Sequence, residues 1–138
     1  MSQIDTSGRA GAGSRARTAL QVTAALSTLE VLFQGATAGQ ILSGSGTATS
    51  VHGGGAIVFH VLSALMLISA ALVWRATRGS IWPTVISVLV FLLGLAQAYL
   101  GDVGVLSVHV PLAIALTIGT VWVLAWSFRR ERPSRHGS

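Results

Sequence analysis

A chain of 138 residues that is 51% hydrophobic and only 9% charged departs from soluble globular domains, where about a quarter of residues are charged, and reads as an integral membrane protein. The absence of cysteine excludes disulfides, thiolate metal centres and iron–sulfur clusters. The net charge of +5 does not point to nucleic acid, because the arginines are distributed by topology and form no binding face.

Residues 1–16, rich in Ser, Gly, Ala and Arg and without a hydrophobic period, read as a disordered basic cytoplasmic tail. Residues 17–128 hold four windows long enough to cross a bilayer, which takes about 20 residues at about 1.5 Å each. They run approximately from Thr18 to Leu42, Gly53 to Trp74, Ile81 to Leu100 and Val105 to Trp126. No clear cleavage pattern follows the first before three more begin, which argues against a removed signal peptide. The links are short, so neighbouring helices pack antiparallel. The expected fold is an all-α, integral membrane four-helix up-and-down bundle. Residues 129–138 read as a second basic cytoplasmic tail.

Arginine placement sets the expected orientation. Arg9, Arg15 and Arg17 precede the first span, Arg75 and Arg78 link the second and third, and Arg129, Arg130, Arg132 and Arg135 follow the fourth. The opposite links, Ser43 to His52 and Gly101 to Val105, contain no lysine or arginine. By the positive-inside rule this is a multi-pass plasma-membrane protein with both termini cytoplasmic, and Trp74, Trp82 and Trp126 fall in the inner aromatic belt.

An internal repeat is the most informative feature. Ser50-Val51-His52 opens the second span and Ser107-Val108-His109 the fourth, each followed by an apolar helix ending in Trp and Arg. Ahead of each lies a helix with a glutamine and then a glycine, Gln34 with Gly35 and Gln97 with Gly101. The chain thus reads as two similar helical hairpins. If an axis along the membrane normal relates them, His52 and His109 face one another near the outer surface.

Imidazole ligates haem iron, and one histidine on each of two facing helices frames a six-coordinate b-type haem. Gly53-Gly54-Gly55 would let the flat macrocycle approach the helix. The competing reading is that both histidines only mark the outer interface, where an amphipathic side chain sits at little cost. Copper or zinc would need a third ligand that is not evident nearby. Gln34 and Gln97 flank the pair as cofactor-site candidates or as helix-to-helix glue. Asp102 is either solvated or an acceptor that orients His109.

His60 lies eight residues beyond His52, about 12 Å deeper and rotated by roughly 80°. Glu30 falls near the same depth in the first span. An intramembrane carboxylate faces the bundle and finds a partner or costs a few kcal/mol, so Glu30 is predicted to pair with His60. Together they form a candidate proton relay, or a contact for a haem propionate or a quinone. The alternative is a protonated Glu30 bonded to a backbone carbonyl.

VLFQGATAGQILSGSG at the end of the first span, a histidine at the outer start of the second, and LAQAYLGDVGVLSVHVPLAIAL across the third and fourth resemble one half of the haem A synthase family. Its eight-helix members consist of two similar four-helix halves. The resemblance covers residues 19 to 128 and implies that His52 and His109 coordinate haem. Where the family often carries a glutamate before the first histidine and an arginine after it, this chain reads Thr47-Ala48-Thr49-Ser50-Val51-His52-Gly53. With one half present, holding cofactor and substrate haem together would take a homodimer. Small four-span membrane proteins with a histidine opening each even helix are similar as well.

The expectation is therefore a membrane bundle that binds haem b between His52 and His109, for electron transfer or haem handling. Its partners would be the lipid bilayer, a second copy, or a respiratory or haem-pathway membrane protein, and no nucleic acid. The alternative is a cofactor-free scaffold or accessory subunit that binds a partner through its helices. No nucleophile with its base, phosphate loop or metalloprotease helix is present, so enzymatic activity stays open.

Overall fold

The computed structural model describes residues 3–129. They form four helices: α1 (Gln3–Leu42), α2 (Gly46–Thr77), α3 (Trp82–Asp102) and α4 (Leu106–Ser127). Backbones approach closely from α1 to α2, α2 to α3, α3 to α4 and α4 back to α1, and across neither diagonal among the described residues. The result is the expected all-α bundle, square in section. α2 and α4, which carry the two SVH histidines, occupy opposite corners.

Three helices, α2, α3 and α4, are long and apolar enough to cross a membrane. The first expected span differs, because α1 carries Gln21, Glu30, Gln34 and Gln40 among its apolar residues. Part of its polarity is directed inward. Ser27, Thr28 and Thr37 are buried, while Val22, Leu26, Leu29 and Phe33 are exposed at the spacing of one helical face.

Elsewhere the distribution is likewise inverted relative to a soluble bundle. Ile57 and Ile118 are 69% and 65% exposed, whereas Ser63, Ser87, Thr120 and Ser127 are fully buried. These four hydroxyls bond to carbonyls of their own helices, which satisfies them without a partner helix. Small interior residues let the helices approach closely. At Gly119 on α4 an added Cβ would meet Val90 Cγ2 of α3 at 2.6 Å.

The segment expected to be a structureless tail is instead helical from Gln3 onward. Its later residues gain packing that composition does not register. Gly13 lies against Ala76 and Thr77 of α2, and Ala16 joins the core. Arg17 Nη1 donates to the carbonyls of Ser127 and Arg129 and stacks over Trp126, while Gln21 Nε2 donates to the Ser127 carbonyl. These cationic and amide donors satisfy carbonyls left open at the end of α4 and close the ring between α1 and α4. The tail expected after residue 129 lies outside the described residues.

The two loops at the histidine end share one backbone pattern. Gly44 and Gly104 have φ of 89° and 73°, a left-handed conformation suited to glycine. Gly44 N–H donates to Ile41 O and Ser45 N–H to Gln40 O. Gly104 N–H donates to Gly101 O and Val105 N–H to Leu100 O. The sequence repeat is therefore also a repeat of the backbone.

Replacing Gly119 with Leu should lower the unfolding free energy in detergent by about 1–3 kcal/mol, as overpacking of a closed interface does. Gly35, with nothing within 4 Å of an added Cβ, is the control. Gly35→Ala should be neutral or stabilise the helix by about 0.5–1 kcal/mol. Thermal melts of the two variants beside the wild type measure both effects.

Candidate functional site: a histidine pair across the bundle

His52 and His109 face one another from the opposite corners of the bundle, with ring centroids 6.3 Å apart and planes inclined by 51°. Each ring is held by the preceding helix. His109 Nδ1 lies 3.0 Å from the Gln97 carbonyl oxygen. A carbonyl only accepts, so Nδ1 carries the proton and Nε2 presents its lone pair. His52 Nδ1 lies 2.9 Å from Thr37 Oγ1. The Thr37 hydroxyl is committed as a donor to the Gln34 and Phe33 carbonyls, so it accepts from His52 and leaves that Nε2 unprotonated too. Fixing a histidine through Nδ1 is the usual way a protein prepares Nε2 as a metal ligand.

The loop glycines place these contacts. Thr37 and Gln97 each stand seven residues before a left-handed glycine, 37 to 44 and 97 to 104. The structural counterpart of Gln97 is therefore Thr37, where the sequence repeat pairs Gln97 with Gln34. Gly101 adds a second constraint. A Cβ there would come within 2.8 Å of His109 Cε1 and 3.0 Å of Nδ1, so the ring lies directly on the α3 backbone. Thr37 and Gly101 are functional candidates that sequence reasoning missed as supports of the pair. The equal offsets of Thr37 and Gln97 from the loop glycines are the signal that could have found Thr37.

Glu30 does not pair with His60. Its Oε1 accepts from Gln34 Nε2 at 2.9 Å, one turn along the same helix. Both side chains fill the notch at Gly55, where an added Cβ would overlap the Gln34 amide and lie 2.6 Å from Glu30 Oε1. The expected relay is thus not assembled. Gly55 receives these side chains and leaves no space there for a macrocycle, whereas Gly53 and Gly54 have nothing within 4 Å of an added Cβ and leave the surface beside His52 open. Asp102 is exposed and does not orient His109, whose Nδ1 goes to Gln97. The Gln97 side chain stands apart from the pair, its Oε1 buried without a partner.

Among the described residues no three of His, Cys, Asp and Glu gather as a metal site, so a closed zinc or copper centre has too few ligands. Two imidazoles suffice for the axial positions of a haem, because the porphyrin supplies the other four nitrogens. Two metal–nitrogen bonds of about 2 Å, each ending on a ring whose centre lies about 1.2 Å beyond, separate ring centres by about 6.4 Å. The observed separation fits this requirement. No family model matches the chain, and neither a curated protein nor a solved structure is found to match it.

Thr37→Val keeps the shape but removes the acceptor for His52 Nδ1. It should cost about 1–3 kcal/mol, the penalty of an unsatisfied buried donor, in a detergent melt. Gly101→Ala should displace His109. Nuclear Overhauser contacts between the His52 and His109 ring protons, present in the wild type, should vanish in this variant.

Proposed function

We propose that this protein is a plasma-membrane cytochrome-like bundle that binds one b-type haem between His52 and His109, near the outer face, with both termini cytoplasmic. One observation carries the reading: the two rings sit 6.3 Å apart across the bundle, each with Nδ1 engaged and Nε2 left as a lone-pair donor. The open surface at Gly53 and Gly54 supports it further. When bound, haem supplies one-electron chemistry. His52 and His109 would hold it from two sides, and Thr37 and Gln97 would keep both rings in the ligating tautomer. A site in which two histidines would hold the group leaves no place for a further ligand and suits electron transfer better than ligand activation. The apolar exposed faces of the bundle support membrane partners for that transfer, of which a respiratory or haem-pathway protein is the expected kind.

Expressed with haem precursor supplied and purified in detergent, the wild type should contain one haem per chain. Its reduced-minus-oxidised spectrum should show sharp α and β bands. His52→Ala and His109→Ala should each lose most of the haem, and His60→Ala should retain it. A colourless wild type that takes up no added hemin would sink the reading and leave a cofactor-free scaffold as the better account.

A further inference from the structure

Among the described residues, four buried side-chain atoms lack a hydrogen-bond partner: Ser27 Oγ, His60 Nε2, Thr84 Oγ1 and Gln97 Oε1. Only one of them, His60 Nε2, belongs to a titratable group. His60 Nδ1 lies 2.6 Å from the Ala56 carbonyl oxygen, so Nδ1 carries the proton and Nε2 is an acceptor. Phe59 and Phe91 meet the ring edge-on, with centroids 6.3 and 6.5 Å away. Nε2 points at α3 beside Gly94, where an added Cβ would lie 3.7 Å from it. One turn further along α3 stands the second unpartnered acceptor, Gln97 Oε1.

Two buried acceptors on facing helices, at levels about one helical turn apart, satisfy nothing in each other, and each unmet group is costly. A proton on His60 Nε2 turns one of the two into a donor and lets it bond toward Gln97 Oε1, directly or through one internal water. Gln97 is also the residue whose carbonyl holds His109 Nδ1. The protonatable site is thus one residue removed from the proposed ligand pair and touches neither ligand.

We propose that His60 is a redox-linked proton site, taking one proton at Nε2 as one electron enters between His52 and His109. This inference rests on the haem reading and names what accompanies its electron. The step balances: an external one-electron donor gives the electron, water gives the proton, imidazole becomes imidazolium, and no bond between heavy atoms changes. Few other charges compete. From α1 the ionisable group near this level is Glu30, bound to Gln34 at Gly55. α3 has no ionisable side chain before Tyr99 and Asp102 at its outer end. α2 itself carries His52 two turns outward and Arg75 about four turns inward, and α4 contributes His109. A unit charge about 12 Å away at an effective dielectric constant of about 20 is worth roughly a factor of ten in an equilibrium constant. For a one-electron couple that factor is about 59 mV.

Potentiometric titration of the haem-loaded protein at a series of pH values tests this. The midpoint potential should fall by about 59 mV between a low-pH and a high-pH plateau. It should be flat in His60→Gln and retain the fall in Glu30→Gln, with haem content unchanged in both. A reduced-minus-oxidised infrared difference spectrum should show imidazolium formation in the wild type that is absent in His60→Gln. A flat wild-type potential, or a fall that survives in His60→Gln, would overturn the proposal while leaving haem binding intact. Loss of the fall in Glu30→Gln alone would assign the proton to the carboxylate instead. A protein that binds no haem fails the earlier reading, an outcome separate from these.

Discussion

Two hydrogen bonds, from His52 Nδ1 to Thr37 and from His109 Nδ1 to the Gln97 carbonyl, govern what this bundle can do. Each ties a histidine to the odd helix before it, so the ring is fixed by a neighbour and not only by its own backbone. Each also assigns the tautomer, because the Gln97 carbonyl can only accept and the Thr37 hydroxyl already donates to carbonyls of its own helix. Remove either bond and a ring is free to turn and to donate through Nε2, which a metal ligand must not do. The square arrangement does the rest by setting α2 and α4 at opposite corners, with the two rings projecting between them.

That geometry depends on an interior whose polar groups are largely satisfied within their own helices. Thr28, Ser63, Ser87, Thr120 and Ser127 turn their hydroxyls back onto their own helices, so these five need no partner across an interface and the helices approach closely. Glu30 and Gln34 satisfy one another within α1 and fit at Gly55. α1, the least apolar helix, buries Ser27, Thr28 and Thr37 and turns Val22, Leu26, Leu29 and Phe33 outward. Between their ends, the outer surface of the other three helices is apolar. Such a distribution suits a hydrocarbon solvent, in which side chains facing outward gain nothing from polarity and those facing inward must be satisfied.

Much of this was legible in the sequence, and the limits have physical causes. The helix count, the short antiparallel links and the meeting of His52 with His109 follow from apolar windows and from a tripeptide repeated at the start of two helices. The pairing of Glu30 with His60 does not survive, since depth along a helix says nothing of its rotation. The notch at Gly55 faces Glu30, whereas His60 turns toward α3. Thr37 escaped notice because a threonine in an apolar helix carries no signal of its own. Only its distance from Gly44, equal to that of Gln97 from Gly104, gives it away. The first sixteen residues look structureless by composition, yet Gly13 and Ala16 pack on α2 and the core, a gain that glycine content cannot predict.

The central claim is that two imidazoles ligate one iron through Nε2 from opposite sides. Low-temperature electron paramagnetic resonance of the ferric, haem-loaded protein, with near-infrared magnetic circular dichroism on the same sample, tests it most directly. The account predicts a low-spin ferric signal for essentially all the haem and a charge-transfer band characteristic of bis-imidazole ligation. A high-spin signal, or low-spin haem with a different axial pair, would contradict it.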